Sequence, residues 1–249
     1  METTRKVDGN GIPCGARCEH ALRAFRTAPN SPINPATDNL STFGGDSASA
    51  NAINDAGQVV GASATGGSVS FFHAFRTVPN KPINPETDDL GTLGGTSASA
   101  FGINVSGQVV GFSLTSDNSI SHPFRTAPNK AINPSTDDLG TLGGSFGSAA
   151  HINGFGQTVG FSEIGDNGIF HAFLVGAHKK INPATDDLGT LGGAYSEATS
   201  IDDFGQVVGW ATTMASSDKG RRHAASVDGE YPLVSSHRSC AVSGACRTR

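Results

Sequence analysis

The stretch DLGTLGGTSASAFGINVSGQVVGF, residues 89–112, decides the fold, because the chain returns to it again and again. It recurs as DLGTLGGSFGSAAHINGFGQTVGF at 138–161 and as DLGTLGGAYSEATSIDDFGQVVGW at 187–210. A variant, NLSTFGGDSASANAINDAGQVVGA, precedes it at 39–62. The period is 49–50 residues. A repeat of that length is one supersecondary unit that buries its apolar face only against its neighbours.

Four strands are expected per unit, here lettered A to D. Strand A covers 47–54, 97–104, 146–153 and 195–202. In its first copy Ala48, Ala50 and Ala52 alternate with Ser47, Ser49 and Asn51, the period of a strand. Strand B, the Q-V-V-G run, covers 58–63, 107–113, 156–162 and 205–210. Paired valines predict burial on both faces. Asn54-Asp55-Ala56-Gly57 and its copies are turn chemistry, so A and B form a hairpin. Strand C covers 73–77, 122–126 and 171–175, and Pro123 within it predicts an edge or a bulge. Strand D covers 89–95, 138–144 and 187–193, with 39–45 as its variant. A polar loop with two prolines separates C from D.

Four short antiparallel strands per repeat define the fold class: all-β, a β-propeller-like repeat domain of about four blades. The alternative is an open solenoid or arc. The chain starts on C and D, near Arg23-Ala24-Phe25, and ends on A, B and a further C at His223-Ala224-Ala225. In a closed ring the two incomplete ends complete one blade, with one C strand left over, and the protein is a monomer. The repeat domain spans 23–230, between a non-repeat segment 1–22 and a non-repeat tail 231–249.

Composition excludes several classes. Glycine is 33 of 249 residues and only 16% are charged, which suits neither a helical bundle nor a charge-driven disordered chain. No apolar run approaches the roughly 18 residues of a membrane span. The ends are basic, net +2 over 1–26 and +3 over 218–249, and the body 27–217 is acidic at −10. An acidic body disfavours nucleic acid as a partner. Met1–Asn10 contains no apolar segment of a secretory signal peptide. Cys14, Cys18, Cys240 and Cys246 flank the repeats, with C-x3-C and C-x5-C spacings that fit thiols or disulfides better than zinc.

His73-Ala74-Phe75, His171-Ala172-Phe173, the DLGTLGG runs and the I-N-x-x-G-Q-V-V-G runs resemble the HAF-repeat family of bacterial extracellular repeat proteins. The resemblance covers about 23–225. It implies an extracellular or cell-surface location and no catalytic residues. Arg23 stands where the family pattern has His, and Ala225 where it has Phe.

The recurring histidines, His73, His122, His171 and His223, read as hydrogen-bond hubs for an Asp or Ser of a neighbouring strand. The Thr-Asp-Asp triplets supply Asp88, Asp89, Asp137, Asp138, Asp186 and Asp187, which are also candidate calcium ligands, since calcium takes six to eight oxygens. No other cofactor is expected. No G-x-S-x-G, H-E-x-x-H, P-loop or dinucleotide fingerprint occurs. A near-uniform repeat supplies the same groups several times, whereas catalysis needs an asymmetric set. Residues unique to one copy are Glu197, Tyr195, His151 and Trp210, with Glu163 a single acid in a B–C loop. The phenylalanines at repeat positions read as core. The expectation is a non-enzymatic binding or scaffold module for a protein or glycan ligand, working through its B–C and C–D loops. The alternatives are a calcium-stabilised adhesion module and a polysaccharide-active enzyme built on the unique residues.

Overall fold

The computed structural model describes residues 21–67, 71–165 and 167–214. The chain divides into a unit Met1–Met214 and a second unit Ala215–Arg249, and all described residues belong to the first. His223-Ala224-Ala225, the tail 231–249 and the four cysteines lie outside the described residues.

The described chain is all-β. The first repeat forms a sheet in the order β1 (Gly44–Ile53), β2 (Val59–Thr65), β3 (Phe72–Arg76), β4 (Asp89–Gly91), each neighbour antiparallel. The second contributes β5 (Gly94–Ile103), β6 (Val109–Thr115) and β7 (Ser121–Arg125). The third contributes β8 (Gly147–Ile152), β9 (Thr158–Glu163) and β10 (Phe170–Val175). The fourth contributes the hairpin β11 (Gly192–Ile201), β12 (Val207–Thr213). These are strands A, B and C in the expected order.

Strand D is a correction. Only Asp89–Gly91 is a strand; elsewhere D is a single bridge, Asn39 to Phe25, Asp138 to Phe124 and Asp187 to Phe173. Gly91, Gly140 and Gly189 have φ of 72°, 71° and 67°, which turns the chain out of the extended region after one or two residues. The following Gly-Gly opens strand A instead, in β1, β5 and β11. Pro123 fits this edge: it needs no donor where the ladder beyond strand C has shrunk to a bridge.

The glycine of Q-V-V-G is required sterically. A Cβ on Gly61, Gly111 or Gly160 would lie inside van der Waals contact of the carbonyl oxygen of Ser49, Ser99 or Ser148. The same glycines stand opposite Phe75, Phe124 and Phe173 across the B–C ladder. Those three rings are fully buried.

Successive sheets pack through these rings. Phe124 clusters with Val109 and Ala98 of its own sheet and with Val60, Ala74 and Leu90 of the sheet before it. Phe173 sits likewise with Val110 and Leu139, and Phe75 with Ala24 and Leu40. A backbone bond crosses each of these contacts: Ile83 N–H to Leu40 O, Ile132 to Leu90 and Ile181 to Leu139, all 2.8 Å. The series stops at each end. Phe25 is 49% exposed, Leu188 46% and Ile33 56%. Among the described residues β12 pairs with β11 alone.

Candidate functional site

The Thr-Asp-Asp triplets divide their work. The first aspartate closes the C–D loop. Asp88 accepts the Asn84 N–H at 2.8 Å and the Thr87 hydroxyl at 3.1 Å, and Asp137 and Asp186 repeat this with Asn133, Thr136, Asn182 and Thr185. The second aspartate holds the strand-C histidine. Nδ1 of His73, His122 and His171 lies 2.9 Å from a carboxylate oxygen of Asp89, Asp138 and Asp187. Each of these carboxylates also accepts a backbone N–H, from Gly91, Gly140 or Gly189. The six candidate calcium ligands therefore already receive protein hydrogen bonds. Among the described residues no three His, Cys, Asp or Glu side chains are grouped to hold a metal ion. The first copy differs as its sequence does: Arg23 bonds the Asp46 carbonyl, and Asn39 accepts the Ser41 N–H.

The A–B turns converge. Asn54 Oδ1 accepts the Gln58 N–H, and its Nδ2 donates to Gln58 Oε1 and to the carbonyl of Asn104 in the next repeat. Asn104 passes the same bond to Asn153, and Asn153 passes it to Asp202. A rim recess of about 420 Å³ is lined by all four turns, including Asn54, Asp55, Asn104, Asn153, Asp202 and Asp203. His151 lines it too, its Nδ1 accepting the Ile201 N–H at 3.3 Å.

A second recess, about 400 Å³, is apolar. Phe101 and Phe112 come from repeat two, Phe146, Ser148, Ala150 and Phe161 from repeat three, and Glu197 from β11. The rings pair: Phe101–Phe112 at 5.8 Å between centroids and Phe146–Phe161 at 6.0 Å. Phe170 stands edge-on to both Phe146 and Phe161. Reading the repeat phenylalanines as core is thus right for Phe75, Phe124 and Phe173 and wrong for Phe112 and Phe161. Val110 and Phe112 share one strand face, yet two residues along it lead from packed core to open recess.

Burial pushes the Glu197 carboxyl above its ordinary range, opposed by a hydrogen bond from the Trp210 indole. These two are cross-strand partners. The unique residues do not gather at one place: Glu197 lines the apolar recess, His151 the rim recess, and Tyr195 neither. Glu163 is spent on structure, its carboxylate accepting the N–H groups of Ser145 and Gly168. Sequence reasoning missed Phe101 and Phe146. The signal was there: Phe101 aligns with Asn51, Ala150 and Thr199, small or polar residues in the other copies.

Comparison of the chain with protein-family models, with characterised proteins and with solved structures finds no match. Among the described residues no helix is long and apolar enough to cross a membrane.

Proposed function

We propose that the chain is a non-enzymatic binding module that holds its ligand in the aromatic recess. One observation carries this reading: four phenylalanine rings and one carboxylate, drawn from three successive repeats, line a cavity of about 400 Å³. That volume lies in the range of small-ligand sites, which are apolar with a few placed polar groups. The binding surface is then made by strands rather than by the B–C and C–D loops. An extracellular or surface setting is supported by the HAF-repeat resemblance. The enzyme reading loses support because Glu197 is the one carboxylate lining this recess and His151 and Glu163 are engaged elsewhere.

The frame proposed for the site is a four-bladed propeller, closed by residues 23–40 pairing with β12. Its support is that the first and fourth A–B turns border one recess and that the two ends expose matching residues.

Trp210 is the only tryptophan of the chain and bonds Glu197, so its fluorescence reports on the recess. A panel of short peptides, oligosaccharides and small organic ions should contain members that shift this emission saturably. Phe161→Ala, which removes a wall, should weaken those responses at least tenfold while leaving the thermal midpoint within a few degrees. No response from any member, or responses unchanged in the variant, would remove the recess as the site.

A further inference from the structure

We propose that the aromatic recess takes the alkylammonium head group of a small organic cation, with Glu197 as the counter-charge and the phenylalanine faces as its walls. The inference rests on the recess being the ligand site and names the ligand's chemistry.

Four of the seven lining residues are phenylalanine, and Glu197 is the one that carries a charge; no lysine or arginine is among them. Aromatic faces carry the negative part of the ring quadrupole, so they attract cations and offer nothing to an anion. Glu197 is half-buried, and burial raises its carboxyl against a hydrogen bond from the Trp210 indole on the neighbouring strand. An anion in an apolar wall is stabilised by a cation brought to it. A divalent metal is the wrong cation, because it would need about six oxygen ligands. One carboxylate and the Ser148 hydroxyl do not supply them. A sugar would want several directional polar partners, and the same two groups are too few. An alkylated ammonium is weakly hydrated and needs one counter-charge and aromatic surface, which is what the recess contains.

Asymmetry makes this one site rather than four. Glu197 stands where the other copies have Ser49, Ser99 and Ser148, and Trp210 where they have Ala62, Phe112 and Phe161. The acid and the ring walls therefore meet once, with the reporter indole paired to the acid across the β11–β12 ladder. The acidic body, −10 over 27–217, adds a long-range attraction for cations.

The test titrates the full chain with tetramethylammonium and with choline, following Trp210 fluorescence and confirming the affinity by calorimetry. The neutral isostere of choline, 3,3-dimethylbutan-1-ol, is titrated in parallel. The expected result is saturable binding of both cations, with the isostere at least tenfold weaker. Glu197→Gln, which keeps the shape and removes the charge, should weaken choline about tenfold and leave the isostere unchanged. A thermal melt of Glu197→Gln establishes that it is folded, and Phe112→Ala provides a second variant expected to weaken all probes alike. If the isostere binds as well as choline, or if folded Glu197→Gln binds choline normally, the cation inference is overturned while the recess remains a binding site. If neither cations nor the isostere bind the unaltered chain, the inference falls, and the peptide and oligosaccharide arms of the panel decide the recess separately.

Discussion

The recurring histidine is a hydrogen-bond hub at His73, His122 and His171, and of the two aspartates that each triplet offers the structure selects the second. His73 is raised above its ordinary value of 6.5 by the hydrogen bond to Asp89, against the effect of burial. Burial works to raise Asp89, but the hydrogen bonds from His73 and the Gly91 N–H outweigh it and hold the group below 3.8. These are two views of one interaction and do not add. The histidine contribution is fully present below pH 6.5 and is lost as pH rises through the raised value. The aspartate contribution is present above pH 3.8 and is lost as pH falls through the lowered value. The pair therefore stabilises most between those limits. Both side chains are partly exposed, so the coupling is worth only about 0.5–1 kcal/mol. Urea midpoints at about pH 5.5 and about pH 8 should show Asp89→Asn losing more at the lower pH. An equal loss at both would mean that the histidine is neutral in the folded protein throughout. A pairing of this kind was legible because both partners recur at a fixed spacing. The recess was legible only at Phe101, which departs from the other copies; Phe112 and Phe161 carry no mark of whether another sheet covers them.

At the scale of the element, strands A, B and C follow from alternation, paired valines and turn residues. Strand D does not, because the glycines of its run act oppositely: one ends the strand with a positive φ and the next two begin strand A. The part of the motif that links successive repeats by a side-chain bond is the asparagine of I-N-x-x-G-Q. It caps its own turn and hands one N–H to the following repeat. Asn104 is buried and makes both bonds to Gln108 as well as the one to the Asn153 carbonyl. In repeat four the position is Asp202, which still accepts the Phe204 and Gln206 N–H groups and has no N–H to pass on. Asn104→Asp copies that natural change into the middle of the series. It should keep the turn and lose the donor, leaving a charge beside Gln108 Oε1 and the Asn153 carbonyl. A loss of about 2–3 kcal/mol in urea unfolding is expected. The same change at Asn54, a more exposed turn, should cost less. Both asparagines make the same turn bonds and the same link to the next repeat, so equal costs would mean that burial of the link does not set its worth.

For the whole molecule the ends are the telling feature. Three sheet contacts contain a strand-C phenylalanine: Phe75, Phe124 and Phe173. The fourth cluster, Val159, Ala172, Ala198 and Ile201, has none. Phe25 is the unused ring, and Gly209 is the strand-B glycine with no strand-C partner among the described residues. Three clusters contain the second valine of Q-V-V-G, Val60, Val110 or Val159, and the first cluster lacks one while Val208 is 62% exposed. The Ile–Leu backbone bond is missing once, and the exposed pair Ile33 and Leu188 are the residues that would make it. Each absence at one end is matched by a surplus at the other, as closure of 23–40 onto β12 requires. Closure would also remove an open strand edge. By analogy with Ser63 opposite His73, it places Arg23 opposite Ala211. With the four native cysteines changed to serine, Arg23→Cys and Ala211→Cys should form a disulfide within one chain under mild oxidation. Ser63→Cys with His73→Cys, already cross-strand partners, is the positive control. Phe25→Ala should then cost about 3–5 kcal/mol, as truncating a buried phenylalanine does. Disulfide-linked multimers would instead mean that the ends meet between copies. No disulfide, with Phe25→Ala costing under about 1 kcal/mol, would mean that 23–40 does not close onto β12.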